Sequence, residues 1–165
     1  MPELELRLVV NTTSRPPRPG EVDGKDFHFV ARGKFEDMIK AGEFAEWAQV
    51  HGDNLYGVEK AALANACPDG GRMVIVLDIQ GYATFKRVLP SDEYKVIGIF
   101  LEALSFDVLL DRWKRRGDPI NPADLAARTE SYRKEMAARF DFEYRVMNDD
   151  FERCVAEVVQ IIKAN

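Results

Sequence analysis

The segment TTSRPPRPGEVDGKDFHFV, residues 12–30, combines a proline-rich loop with two arginines, Arg15 and Arg18. Three prolines lie between or beside these arginines and restrict the backbone that carries them. Guanidinium groups held in this way suit phosphate oxygens, which they bind through paired hydrogen bonds. Taken alone, the loop is equally compatible with a solvated basic surface, so its interpretation depends on the rest of the chain.

Strand-like and helix-like patterns alternate around this loop. Residues 4–10 (LELRLVV) alternate and then become apolar, whereas 73–79 (MVIVLDI) and 94–101 (YKVIGIFL) are apolar enough for buried parallel strands. Shorter strands are predicted at 27–30, 44–50 and 144–147, and helices at 34–41, 58–66, 82–88, 106–114, 123–139 and, after an Asp150 cap, 151–163. The pattern predicts an α/β fold, a parallel sheet with helices on both faces.

Composition limits the classes of function. The chain has 165 residues, enough for one domain, and a net charge of −5, which argues against a nucleic-acid partner. No apolar run is long enough to cross a membrane. The two cysteines and two histidines have neither disulfide nor metal-ligand spacing, so we expect a cytoplasmic protein with no metal site of its own.

Further motifs follow the arginine loop in a fixed order. They are Gly42-Glu43-Phe44-Ala45-Glu46-Trp47-Ala48, Leu55-Tyr56-Gly57, Leu77-Asp78-Ile79-Gln80-Gly81, Arg112 with Arg115-Arg116-Gly117, Arg128, and Asn148-Asp149-Asp150. With residues 12–30, this ordered set resembles the guanylate kinase family from about residue 6 to the C-terminus. The resemblance implies the P-loop nucleoside-monophosphate kinase fold in one domain, residues 1–165. It also implies a GMP-binding subdomain at about 11–58 and a lid at about 112–128.

The resemblance assigns the phosphate and the base of GMP to different residues. Arg15 and Arg18 would hold the phosphate, and Tyr56 would add its hydroxyl. Glu46 would accept hydrogen bonds from guanine N1–H and the exocyclic amine, a donor pair that adenine does not offer. Asp78, at the carboxyl end of a predicted strand, and Asn11 would complete substrate binding.

The lid residues receive a catalytic role from the same resemblance. Arg112, Arg116 and Arg128 would neutralise charge on the transferring phosphoryl group. Asn148 would contact the nucleotide cofactor.

Several positions depart from the family pattern. The stretch nearest to G-x-x-x-x-G-K-[ST] is 20–26 (GEVDGKD), which is one residue too short and lacks the Ser or Thr. We therefore expect a fold whose first strand and P-loop are missing. Phe27 stands where the family has a phosphate-binding Tyr, Asn11 and Val58 replace small hydroxyl residues, and Val76 replaces an acid.

Three functions fit these residues. In the leading interpretation, the protein binds GMP or a related phosphorylated ligand, and phosphotransfer from ATP is weak or absent. In the alternative, it is an active guanylate kinase truncated at its N-terminus, which converts ATP and GMP to ADP and GDP with Mg²⁺. A third interpretation is a phosphopeptide-binding interaction module. ATP and Mg²⁺ are expected cofactors only for the active kinase.

The expected loss of the first strand raises a packing question. That strand would lie between residues 73–79 and 94–101, and unpaired backbone groups in the gap would cost about 1–3 kcal/mol each. We expect the two segments to pair directly. The competing arrangement fills the gap with Leu4–Val10, either of the same molecule or of the partner in a swapped homodimer.

Overall fold

The computed structural model describes residues 4–50, 53–67, 71–117 and 121–165, and the chain divides into two compact units, 1–89 and 90–165. The first unit contains β1 (Leu6–Leu8), β2 (Thr12–Thr13), β3 (His28–Phe29), α1 (Arg32–Lys40), β4 (Phe44–Gln49), β5 (Leu55–Glu59), α2 (Lys60–Ala66), β6 (Arg72–Val74) and α3 (Ile79–Val88). The second contains β7 (Ile99–Glu102), α4 (Phe106–Arg115), α5 (Pro122–Ala138), a 3₁₀ turn (Arg139–Asp141), β8 (Tyr144–Met147) and α6 (Phe151–Ala164).

A four-stranded sheet in the order β3-β2-β5-β4 forms the centre of residues 12–59. Its pairs β2–β5 and β4–β5 are antiparallel, and β2–β3 is parallel. Helix α1 packs on it through Phe35 and Met38, which form one buried cluster with Phe44 and Leu55. Gly42, at φ +68°, follows the end of this helix and lets the chain turn into β4. The predicted helix is confirmed, while the subdomain boundaries of 11–58 stay a prediction.

Strand β5 is an element that the sequence analysis missed. A helix was predicted from Val58, but Leu55–Glu59 is a strand and the helix begins at Lys60. Gly57 explains the error, because a glycine weakens the strand pattern in the sequence. In the structure, glycine is required at this position because the Phe44 ring lies close to its Cα. A Cβ on Gly57 would lie 2.7 Å from Phe44 Cδ1, so glycine lets the aromatic ring of β4 pack against β5.

Two parallel strand pairs complete the fold. Strand β1 pairs with β6, with Leu6 opposite Arg72, and β7 pairs with β8, with Ile99 opposite Tyr144. The α/β class with parallel strands is thereby confirmed. Among the described residues, each of these pairs forms a two-stranded parallel sheet.

The prediction of two long strands, each buried on both faces, is wrong. Strand β6 ends at Val74 and β7 starts only at Ile99, while Val76 is 69% exposed and Leu101 is 51% exposed. Beyond Val74 the carbonyl of Val76 accepts a hydrogen bond from the Asn11 side chain. Among the described strands, β6 and β7 each have one hydrogen-bonded neighbour, so pairing supports a shorter segment than apolarity alone suggests.

The expected direct pairing between residues 73–79 and 94–101 stays a prediction. Among the described strands, β6 takes β1 as its partner and β7 takes β8. The segment Leu4–Val10, which was considered as a filler, supplies β1 and extends the contact through Val9 N, which donates to Val74 O at 2.9 Å. The homodimer stays a prediction.

The second unit follows the sequence more closely. Asp150 caps α6 by accepting a hydrogen bond from Arg153 N at 2.8 Å, which confirms the predicted cap. Val146 in β8 is fully buried, and Phe100 packs edge-on against Phe142.

In the described part of the chain, no helix combines the length and the apolar character needed to cross a membrane.

Candidate functional site

The arginine loop is held by one carboxylate. Arg15, which is only 8% exposed, donates from Nη2 to Glu21 Oε1 at 2.8 Å and from Nε to Tyr56 Oη at 3.2 Å. The other carboxylate oxygen, Glu21 Oε2, accepts from the backbone N–H of Arg18 at 2.7 Å. The structure thus brings Arg15, Arg18 and Tyr56 together, as the sequence predicted for a phosphate site.

Glu21 is the member of this group to which sequence reasoning gave no role. The hydrogen bond from Arg15 lowers the pKa of the Glu21 carboxyl, so that Glu21 stays ionised and keeps its hold on the guanidinium. Its position six residues after Arg15, at the end of the proline-rich loop, was the available signal. An acid that closes a loop onto its own arginine is a structural clamp, and it orients Arg15 before any ligand arrives.

Aromatic rings cover the faces of the Arg15 guanidinium. Its Cζ lies 5.6 Å from the centroid of Phe27 and 5.7 Å from that of Phe29, both within cation–π range. Phe27 also packs edge-on against Tyr56 at 5.9 Å. Phe27 therefore fills the aromatic position of the loop without providing a hydroxyl there.

Hydroxyl side chains join the start of the loop to β5. Thr13 Oγ1 donates to Leu55 O at 2.9 Å and accepts from Arg15 N at 3.2 Å. Ser14 Oγ accepts from Leu55 N at 2.9 Å. Both lie at the end of β2, where side-chain bonds add to the backbone bond from Ser14 N to Leu55 O at 2.9 Å and fix the direction in which Arg15 leaves the sheet. Sequence reasoning had quoted these residues only as part of the motif.

Glu46 is a buried acid in β4. It is 8% exposed and lies opposite the fully buried Val58 of β5. A Cβ placed on Gly81 would lie 3.2 Å from Glu46 Cδ and 3.3 Å from Asp78 Oδ1, so two carboxyl groups border one glycine at the start of α3. Burial, and secondarily the charge of Asp78, raise the pKa of Glu46 to about 7.

Asp78 and Asn11 have clear structural partners. Asp78 Oδ1 caps α3 by accepting from Gly81 N at 2.7 Å, which orients its carboxyl group beside Glu46. Asn11 donates from Nδ2 to Val76 O at 2.6 Å. Asn11 Oδ1 is buried and has no hydrogen-bond partner among the residues that the structure describes. Their roles in substrate binding stay predictions.

The predicted lid residues belong to the second unit. Arg112, in α4, donates from Nη2 to the backbone carbonyl of Asn148 at 2.5 Å, so these two predicted residues are in contact. Arg128, in α5, lies over the ring of Trp113 with 4.5 Å between its Cζ and the ring centroid. Arg116 is exposed at the C-terminal end of α4. Residues 118–120 of the predicted lid lie outside the described residues.

The side chains that could hold a metal ion are those of His, Cys, Asp and Glu. Within residues 4–50, 53–67, 71–117 and 121–165, no group of three His, Cys, Asp or Glu side chains could hold a metal ion. The described side chains alone therefore do not make a magnesium cage.

Comparison with known proteins assigns the family. The chain matches the guanylate kinase family over residues 2–165. A guanylate kinase of Nocardia farcinica (strain IFM 10152) is 35% identical over 158 residues, which are 95% of this chain and 79% of that protein. One from Syntrophotalea carbinolica is 37% identical over 160 residues, 97% of this chain and 73% of that protein. The crystal structure of guanylate kinase from Anaplasma phagocytophilum superposes with a TM-score of 0.78 at 28% identity and covers 97% of this chain and 76% of that chain. Because the family match spans almost the whole sequence, the chain belongs to the guanylate kinase family.

Proposed function

We propose that this protein is a guanylate kinase, which transfers the γ-phosphoryl group of ATP to GMP and releases ADP and GDP. The observation that carries the proposal is one sheet that presents both a clamped arginine, Arg15, and a buried acid, Glu46. Relatives named guanylate kinase, at 33–37% identity over nearly the whole chain, favour the active enzyme over ligand binding with weak or absent phosphotransfer.

The arginine loop would bind the phosphate of GMP. Arg15 uses one N–H for Tyr56, one for Pro16 O at 2.6 Å and one for Glu21. A guanidinium has five N–H donors, so two remain, one on each terminal nitrogen. These two donors can bind oxygens of a phosphate. Arg18, which the same Glu21 holds through its backbone, would supply the second positive charge.

Glu46 would select the base. Both oxygens of its carboxylate can accept hydrogen bonds, one from guanine N1–H and one from the 2-amino group. Adenine presents an acceptor at N1 and only C–H at C2, so it would leave a buried carboxylate unpaired. A phosphopeptide offers no such donor pair, and for this reason the buried acid disfavours the interaction-module alternative.

The lid residues would stabilise the phosphoryl group during its transfer. Arg112, Arg116 and Arg128 supply positive charge, and phosphoryl transfer depends chiefly on positioning and charge neutralisation. Asn148 would contribute to the ATP side through its contact with Arg112. Mg²⁺ would arrive bound to the phosphates of ATP.

A coupled assay with ATP, Mg²⁺ and either GMP or AMP tests the proposal. We expect GDP formation from GMP and a rate at least tenfold lower with AMP, the discrimination that one mispaired buried group provides. Glu46→Gln should reduce the free-energy preference for GMP over AMP by about 1–3 kcal/mol. Arg32→Gln, an exposed change in α1, should leave that preference unchanged. GMP binding without turnover would restore the non-catalytic interpretation. Equal use of both nucleotides would overturn the assignment of Glu46.

A further inference from the structure

The surroundings of Glu46 contain acids and apolar groups. From α3, Asp78 is the charged group that faces it, and Asp78 itself is bonded to Gly81 N. Across β5 the residue opposite is Val58, and the next residue, Glu59, accepts a hydrogen bond from Thr12 Oγ1. No ion pair joins Glu46 to a cation in the described part of the chain.

Basic groups near the same strands have other partners. Lys60, at the start of α2, donates to Gly42 O at 2.7 Å, and Arg15 is bound by Glu21. Lys86, towards the end of α3, lies 5.4 Å from the ring centroid of Tyr82. The geometry therefore gives Glu46 a buried position, a neighbouring carboxyl group and, among the residues that the structure describes, no counter-charge, conditions in which a carboxyl group holds a proton readily.

A proton on Glu46 would change the hydrogen-bond pattern that the pocket offers. The carboxylate presents two acceptors, which match the N1–H and 2-amino donors of guanine. The acid presents one acceptor and one O–H donor. In the same base orientation, the matching purine has N1–H as donor and an acceptor oxygen at C2, which describes xanthine. Hypoxanthine offers N1–H alone and can bond to either form through one oxygen.

We propose that this pocket has a second ligand, xanthosine monophosphate, which binds when Glu46 is protonated, whereas GMP binds when Glu46 is ionised. The inference rests on the proposed role of Glu46 in base recognition. The ribose and phosphate are common to both nucleotides, so the arginine loop would hold either one in the same place. Base selectivity in this protein is then a function of pH as well as of side-chain identity.

The pH range follows from the electrostatics already described. The pKa of Glu46, raised to about 7 by burial and by Asp78, divides the acid and carboxylate forms near neutrality. Below that pH the acid form predominates, and GMP must displace a proton to bind; above it, xanthosine monophosphate must recruit one. Each unit of pH away from the midpoint changes the minor form about tenfold.

Calorimetric titration of the full chain with GMP, xanthosine monophosphate and inosine monophosphate at pH 6 and pH 8 tests the inference. We expect the GMP-to-xanthosine-monophosphate affinity ratio to rise by about a hundredfold from pH 6 to pH 8, because each nucleotide changes about tenfold in opposite directions. Inosine monophosphate should change least. Protonation of the phosphate is common to the three ligands and cancels in the ratio.

Glu46→Gln is the matched control for the proton itself. Its amide presents one acceptor and one donor at every pH, so it should bind xanthosine monophosphate better than GMP with a nearly flat ratio. Ionisation of xanthine at N3 leaves O2 an acceptor and affects both proteins alike, so the comparison removes it. Asp78→Asn keeps the helix cap but removes the neighbouring charge, and should move the crossover to lower pH.

The outcomes separate this inference from the proposed function. If GMP fails to bind at pH 8, the assignment of Glu46 to guanine is itself wrong. If GMP binds at pH 8 but the wild-type ratio is as flat as that of Glu46→Gln, the second ligand is excluded and guanine recognition stands. If Glu46→Gln does not fold, the wild-type ratio and the shift in Asp78→Asn decide the question, and an unshifted crossover contradicts the inference.

Discussion

The titration of Glu46 predicts how the stability of the ligand-free protein depends on pH. Its pKa lies at about 7 in the folded chain against an ordinary 4.5, a difference of ~3 kcal/mol between the two protonation states. Because the pKa of Glu46 is higher in the folded chain, the stability that its protonated carboxyl contributes is fully present below pH 4.5. This stability is lost as pH rises through about 7. Between pH 5 and pH 8 the wild-type protein should therefore lose ~2 kcal/mol of stability from this one group.

Replacement by glutamine isolates this contribution. Glu46→Gln has the shape of the protonated acid but cannot ionise, so its unfolding free energy should fall less than that of the wild type over the same range. Urea unfolding at matched pH values, followed by circular dichroism, measures the difference between the two proteins, in which all other titrating groups cancel. We expect the two proteins to differ most at pH 8, where glutamine should be the more stable variant. Parallel pH profiles would refute the reasoning, because they would mean that Glu46 ionises as easily in the folded chain as in the unfolded one.

Four further substitutions test other parts of the first unit. Arg15→Ala and Arg18→Ala should each weaken GMP binding by about 1.5–3 kcal/mol and leave guanosine binding unchanged, as measured by calorimetry, and normal GMP affinity in both would exclude the phosphate role. Gly57→Ala should destabilise the fold by about 1–3 kcal/mol in urea unfolding, because its Cβ would lie 2.7 Å from Phe44 Cδ1; an unchanged midpoint would show that the ring moves freely. Phe27→Tyr restores a hydroxyl beside the Arg15 guanidinium and should strengthen GMP binding by about 0.5–1.5 kcal/mol, whereas weaker binding would mean that the hydroxyl faces away from the phosphate.

The arginine loop was predictable from the sequence because its chemistry is local. Arg15 and Arg18 belong to one short loop, and their residue types suit a phosphate ligand. Tyr56 was found only through the ordered motifs, since its contact with Arg15 spans 41 positions along the chain. Glu21 stood inside the quoted motif, yet its clamp depends on how the loop folds back, which residue types do not encode.

The errors in the strands have a different origin. Periodicity measures how apolar a segment is, but strand length depends on which backbone neighbours are present. Val76 is as apolar as the residues before it, and yet its carbonyl bonds to the Asn11 side chain and its own side chain is 69% exposed. In β5, Gly57 lowered the strand signal at the position where the sheet requires a residue without Cβ. Both errors arise where a non-local partner decides the local conformation.

Glu46 combines a residue type that the motifs predict with an environment that depends on distant residues. The ordered motifs predict a base-recognition role for Glu46, but its protonation depends on burial and on Asp78, which is more than thirty positions away. A carboxylate discriminates strongly between bases only if it is buried, because a solvated one would find water in place of a missing donor. Burial also raises the cost of its charge, which moves its titration towards neutral pH. If Glu46 recognises guanine as proposed, strong guanine selectivity and sensitivity to pH are consequences of the same packing, and a substitution that exposes Glu46 should weaken both together.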